Sequence, residues 1–210
     1  LKEGSKQKSK TKQWKQSTLS QELESNNEIN KLSQIGNHFI AIANENGLLL
    51  IHQRRAHKRI LFEHFKNMIS KQGSQSQKLL FPKEIDLNNV ELELIKGMKK
   101  DLNAVGFLFD KIDHTLVIAG VPPECQEKNL KAIIENLMEQ AKNAEKLNID
   151  QQENLARTLA TSLAISKLKK LVDEEMKSLK DKLLNCKSPS VCPNGKRTMI
   201  NLKTVDLEKY

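Results

Sequence analysis

Four side chains between positions 52 and 64 could do metal or acid–base chemistry: His52, His57, Glu63 and His64. Metal-assisted hydrolysis needs imidazole, carboxylate or thiolate ligands that converge on a cation and leave it an open position. His57 and His64 are spaced so that a helix through both would carry them on one face. The cations Arg54, Arg55, Lys58 and Arg59 are interleaved with these groups and would repel a divalent ion. The expectation for this stretch is a solvated basic helix start, with a His52/His57 metal site as its rival. Cys186 and Cys192 have no histidine beside them and lack zinc-finger spacing, so Cys186 is expected to close a helix and pack. No G-x-x-x-x-G-K-[ST] or G-x-G-x-x-G loop occurs, which argues against nucleotide binding.

A second motif is Gln77-Lys78-Leu79-Leu80-Phe81-Pro82, which fits Q-x-x-[LI]-x-P, the pattern carried by ligands of the bacterial sliding clamp. Gln77 would offer its amide for backbone hydrogen bonds, Leu80 would fill an apolar pocket, and Pro82 would hold the segment extended. The alternative is a plain sheet strand whose Leu79 and Phe81 face a core.

The elements that must position these groups follow from periodicity. Ile35–Ala43 alternates and reads as a strand; Asn44–Gly47 reads as a turn into a second strand, Leu48–His52. Ala56–Ile69 has helical spacing. Lys78–Phe81 is a short strand stopped by Pro82, Asn88–Val105 an amphipathic helix, and Phe107–Ile112 with Thr115–Val121 a further strand pair. Asn129–Ala144 is helical. Gln151–Leu171 reads as one long Ala- and Leu-rich helix, apolar nearly all round at its centre, as buried or interfacial helices are. Val172–Asn185 is a helix with acidic residues in its first turn, and Met199–Leu202 is a last strand. The sum is an α+β class with short antiparallel strands.

The chain has 210 residues and a net charge of +9, from 35 Lys+Arg against 26 Asp+Glu. That length can bury a sizeable core without staples, and three scattered cysteines fit a reducing cytoplasm better than a disulfide framework. The longest apolar run, Gly47–Ile51, is far short of the ~20 residues a membrane span needs, and no signal peptide is present. A start at Leu1 rather than Met reads as a fragment. Residues 1–15 hold six Lys and one Glu, so more than half the charge sits in a stretch without periodicity, expected to be disordered. It reads either as a solvated linker or as a tethered arm that touches DNA phosphates. With aromatics at 4%, stacking platforms for single strands are not expected.

The segment Gly47-LLLIHQRRAHKRILFEHF-Lys66 resembles the part of bacterial MutL carboxy-terminal domains that reads roughly L-x-x-I-D-Q-H-A-A-H-E-R-I-x-Y-E, and Cys192-Pro-Asn-Gly-Lys-Arg-Thr198 resembles their C-P-H-G-R-P-T loop. Gln77–Pro82 falls where that family carries its clamp-binding strand; the Gly120–Pro123 bend and the closing Asp206–Lys209 also look familial. The resemblance covers about residues 33–210 and implies a two-lobed dimerisation fold. Residues 1–32 would be the basic linker, 33–76 plus 149–210 the dimerisation lobe, and 77–148 an external lobe.

Nicking members of the family bind metal through D-Q-H-A-x-x-E-x-x-x-x-E, an A-C-R motif and C-P-H-G-R-P. Here the Asp is His52, the His is Arg54 and the first Glu is Lys58; Glu63 remains, Ala160-Thr161 stands in the A-C-R register, and Cys192 keeps its place while the following His is Asn194. Two unit charges of one sign ~4 Å apart repel by about 4 kcal/mol at an effective dielectric of 20. The resemblance therefore implies a matchmaker of DNA mismatch repair that is not itself an enzyme in this segment. It needs no metal (His52, Glu63 and Cys192 being vestigial positions) and no cofactor. The implied partners are a second copy, the sliding clamp through Gln77, Leu80 and Pro82, the mismatch-recognition protein MutS, and DNA, weakly and nonspecifically, through Arg54, Arg55, Lys58 and Arg59. No membrane is implied, and the setting would be the bacterial cytoplasm at the nucleoid. The full-length family protein adds an amino-terminal ATPase. The candidate homodimer surfaces are strand 35–43 and the apolar centre of helix 151–171. The enzyme rival is a nicking endonuclease with a rearranged cage of His52, His57, Glu63 and Cys192.

Overall fold

The computed structural model describes residues 32–44, 47–73, 75–147 and 149–207; the expected linker, except Leu32, and the end of the closing 206–209 segment lie outside them. Four strands, β1 (Leu32–Ile35), β2 (Phe39–Asn44), β3 (Gly47–His52) and β7 (Met199–Lys203), form an antiparallel sheet in the order β1-β2-β3-β7. A second antiparallel sheet has the order β4-β6-β5, from β4 (Gln77–Ile85), β5 (Leu108–Ile112) and β6 (Leu116–Val121). The helices are α1 (Gln53–Lys71), α2 (Asn89–Ala104), α3 (Leu130–Lys146), α4 (Gln151–Ser162), α5 (Asp173–Leu184) and the short α6 (Thr204–Leu207). This is the α+β class read from the sequence. None of the described helices is long and apolar enough to cross a membrane.

Two cores result. The larger joins the second sheet to α2, α3, α4 and one face of α1, around Phe65, Ile95, Leu102, Phe107, Ile118, Ile134 and Leu159. The smaller lies between the first sheet and α5, around Ile40, Ile42, Leu49, Ile51, Met176 and Leu183, with Ala56 of α1 reaching into it. Helix α1 thus feeds both cores.

Three elements differ from the sequence expectation, each for a local reason. The strand expected over Ile35–Ala43 is two strands, because Gly36 and Asn37 both have positive φ (54° and 51°) and His38 N–H bonds Ile35 O at 3.1 Å. Such backbone reverses the chain at little cost only with Gly or Asn. Pro82 does not stop β4, which runs on to Ile85; β4 is an edge strand and its register with β6 shifts between Lys78 and Lys83, so no ladder bond is asked of the proline. The helix expected to run to Leu171 ends at Ser162. There Arg54 of α1 donates to Ile165 O at 2.7 Å, and Ile165 N–H is taken by His57 Nδ1 at 3.0 Å rather than by a helical carbonyl. Two side chains of α1 satisfy the groups a further turn would have used. The apolar residues of that helix, Leu155, Ala156, Leu159 and Ala160, are buried within the chain, so they are removed from the candidate dimer surfaces.

Candidate functional site

The start of α1 is the hub. His52 caps it, its Nδ1 accepting from Arg55 N–H at 3.5 Å, while its backbone N–H donates to Thr198 O at 2.7 Å. Its ring meets Phe39 edge-on at 5.2 Å and His38 at 6.4 Å. Burial, then the charge of Arg55, holds His52 below the usual imidazole range and so favours the neutral form that can cap.

The cations after it staple the chain to itself. Arg54 donates to Ile165 O, and at 3.4 Å to Thr161 O and Ala164 O, placing positive charge at the C-terminal end of α4. Arg55 donates to Arg197 O at 3.1 Å and Arg59 to Val191 O at 2.6 Å. Glu63 accepts from Lys187 N–H at 2.7 Å, from Ser188 N–H at 3.2 Å and from Arg59 at 3.4 Å. Cys192 is buried, its carbonyl accepting Gly195 N–H in the turn that Gly195, with φ of 75°, makes possible. Burial, then the charge of Arg54, draws the Lys58 ammonium below the usual lysine range.

A metal does not fit this donor set. Both Glu63 oxygens are taken by backbone N–H groups, Arg54 and Lys58 stand at the neighbouring motif positions, and among the described residues no three of His, Cys, Asp and Glu are grouped to hold an ion. His52, His57, Glu63 and Cys192 are not brought together as a cage.

One residue that the charge-based reading passed over organises the hub. Gln53 is fully buried; its Nε2 donates to Asn37 O at 2.6 Å and Lys169 O at 2.9 Å, and its Oε1 accepts from Gln34 Nε2 at 2.7 Å. Gln34 in turn donates to Lys169 O and accepts Leu171 N–H at 3.0 Å. The signal was available, since Gln53 keeps the glutamine of the D-Q-H-A pattern.

Between α1 and α5 runs a groove of about 1170 Å³ whose wall includes Ile60, Leu61, Leu171, Leu179 and His57. Burial, then Lys182 and Lys169, pull His57 from the ordinary 6.5 down to about 4. A histidine whose folded value lies below its unfolded one stabilises fully above the unfolded value and loses that contribution as pH falls. Stability should therefore drop by about 3 kcal/mol between pH 6.5 and 4 on this account. Urea midpoints of the unmodified chain and of His57→Gln, compared across that window, should converge at acid pH; parallel curves would remove the assignment.

Two surfaces complete the site. The first is the sheet face turned away from α5. Ile35, Phe39, Ala41, Ala43, Leu48, Leu50, His52, Ile200 and Leu202 share it by register, through the pairs Ile35↔Phe39, Ala41↔Leu50, Ala43↔Leu48, Leu50↔Ile200 and Leu48↔Leu202. Among the described residues no helix covers it, and Ile35 and Ile200 are 49% and 43% exposed. An antiparallel sheet with one solvated face normally alternates apolar and polar; here the outer face is apolar too, except for His52 and, at the edge, Ser33. The second surface is β4. Residues 79–82 sit in the register shift, Leu79 turns into the core, and Leu80 and Phe81 project outward, 86% and 75% exposed. Phe81 therefore does not face the core, as the plain-strand alternative required.

Comparison with known proteins matches residues 32–171 to a family described as the MutL C terminal dimerisation domain. Among similar relatives are DNA mismatch repair proteins MutL from Chlorobaculum parvum, 32% identical over 181 residues, and Pelodictyon phaeoclathratiforme, 33% over 183; each alignment covers 85% of this chain and 29% of the relative. That from Flavobacterium psychrophilum is 32% identical over 198 residues, covering 91% of this chain and 32% of the relative. The chain thus spans about a third or less of the length of the curated relatives it matches.

Proposed function

The chain belongs to the family of MutL C-terminal dimerisation domains, and we propose that it acts in DNA mismatch repair as a non-catalytic matchmaker that pairs two copies through the uncovered face of its four-stranded sheet. The carrying observation is that this face is apolar and that no layer of the described residues covers it. Exposed apolar patches of this kind mark association surfaces. A symmetric dimer uses the same patch on both copies, so the face needs only to complement itself. The lobe carrying it would comprise residues 33–76 and 149–210, and the external lobe 77–148, with α1 as the shared spine. Two copies joined here would hold two amino-terminal ATPase arms together at the nucleoid of a bacterial cytoplasm, where MutS would deliver the complex to a mismatch. Sedimentation equilibrium of the chain at micromolar concentration should give the dimer mass; a monomer mass would defeat the reading.

The sliding clamp is the second proposed partner, through Gln77, Leu80 and Pro82. The exposure of Leu80, on a strand whose ladder is broken there, supports this: an anchor side chain already out of the core enters a partner's pocket without unfolding the donor. Phe81, equally exposed, joins the motif. Leu80→Ala with Phe81→Ala should lower clamp affinity at least about 30-fold, since two buried apolar anchors contribute about 1–3 kcal/mol each, while leaving Tm unchanged. Absence of clamp affinity in the unmodified chain would refute the site.

DNA is the third proposed partner, contacted nonspecifically by Arg54, Arg55, Lys58 and Arg59. Because Arg54, Arg55 and Arg59 also tie backbone carbonyls, stapling and any phosphate contact would share the same guanidinium groups.

A further inference from the structure

The charged groups around the start of α1 come from three segments far apart in sequence. Arg54 ties this helix to the segment after α4 and Arg55 ties it to the 187–198 loop, whose Cys192 N–H bonds Lys196 O at 2.9 Å. These bonds hold Ile165, two residues before Lys167, and Arg197, next to Lys196, at the start of the helix, and the charges of Arg54, Lys196 and Lys167 all act on the Lys58 ammonium. Among the described residues, nine Lys or Arg ion pairs form, and none includes Arg54, Arg55, Lys58, Lys167 or Lys196. Glu63, the acid of this region, is already occupied by two backbone N–H groups and Arg59. Cations gathered without a counter-charge repel one another and lower that cost by binding an anion.

We propose that Arg55, Lys58, Lys167 and Lys196 form one patch that binds the phosphodiester backbone of duplex DNA, assembled from the start of α1, the segment after α4 and the 187–198 loop. It rests on the DNA reading above and redraws it: Arg54 and Arg59 act as staples, Arg55 both ties the 187–198 loop and contacts phosphate, and Lys167 and Lys196, which the sequence did not connect with position 58, supply the outer half of the patch. Both are exposed, and neither ammonium joins an ion pair among the described residues, so replacing those side chains leaves the fold intact. The contacts proposed are to phosphate oxygens, so their contribution is independent of sequence and steeply salt-dependent.

The test is lysine acetylation footprinting of the full chain with and without a random-sequence duplex, read by mass spectrometry, together with duplex affinity against salt. Lys167 and Lys196 should be protected several-fold by duplex, with Lys99 and Lys100 of α2 unprotected as exposed controls. Lys167→Gln with Lys196→Gln should weaken binding about tenfold near 50 mM salt and reduce the salt slope by about 2. Lys99→Gln with Lys100→Gln should do neither. If the duplex binds but the patch variant matches the control variant, the patch falls and the DNA reading survives. If the unmodified chain binds no duplex, both fall. Equal protection by millimolar inorganic phosphate would make this a free-phosphate site and overturn the assignment to DNA.

Discussion

Leu50→Lys should turn the dimer into a monomer at concentrations where the unmodified chain is paired. Leu50 sits mid-face, opposite Ala41 on one side and Ile200 on the other. In a single copy the residue is half-exposed, and a lysine there can lift its ammonium into water while its stem lies along the sheet. In the dimer the same ammonium would be enclosed by apolar side chains from both sheets, without a partner. Burying a charge in that way costs several kcal/mol, and two-fold symmetry applies it twice. The dissociation constant should rise by at least about 1,000-fold, while the urea midpoint of the monomer moves by the equivalent of less than about 1 kcal/mol, as surface substitutions do. A conservative control, Leu50→Met, should pair almost normally. If Leu50→Lys sediments as a dimer, the face is not the interface.

Gln53→Ala is expected to damage the fold about as much as truncating a buried core side chain. The side chain is fully enclosed and joins the turn at Asn37, the carbonyl of Lys169 and the side chain of Gln34. Truncation would leave Asn37 O without that donor, weaken the grip on Lys169 O, and open a void. Lost hydrogen bonds at about 1 kcal/mol each plus the residual cavity give about 3–4 kcal/mol, or roughly 10 °C in Tm for a domain of this size. Gln53→Leu restores most of the volume and none of the bonds, so it should recover less than half of the loss. Gln34→Ala should cost about 1–2 kcal/mol, because Gln34 is only half-buried and Gln53 still holds Lys169 O. Calorimetry or urea titration reads all three. A Gln53→Ala loss under about 1 kcal/mol would mean that the polar ladder is incidental.

What the sequence could and could not show follows from the range of the interactions. The β2–β3 hairpin, α2, α3, α5 and β7 are set by local periodicity and turn residues, and their ends were readable to within a few positions. Where α4 stops was not readable, because Arg54 and His57 terminate it from more than a hundred residues away. The Gly36-Asn37 turn escaped because the order Gly-Asn is a weaker sign than Asn-Gly. At the site, charge drew the eye to Arg54–Arg59, yet charge alone could not tell a guanidinium bound to carbonyls from one facing solvent. It could not show either that the segments carrying Lys167 and Lys196 are tied to the start of α1; the bonds from Arg54 to Ile165 O and from Arg55 to Arg197 O do that. Gln53 carries no charge and no reactive atom, so its importance is visible only in its hydrogen bonds.

The most direct test of sheet-to-sheet pairing is a distance between two copies. Ser33 is exposed on the uncovered face, in register with Ala41, and Ser33→Cys can be spin-labelled selectively. The native Cys125, Cys186 and Cys192 are buried, and burial raises the thiols of the first two to about 11. Sheets stacked face to face lie about 10 Å apart, so pulsed dipolar spectroscopy should show a short, narrow separation between the two labels. A label at Glu139→Cys on α3, remote from that face, should give a long one. A narrow short distance at Glu139, or none at Ser33 in a preparation that sediments as a dimer, would contradict the account.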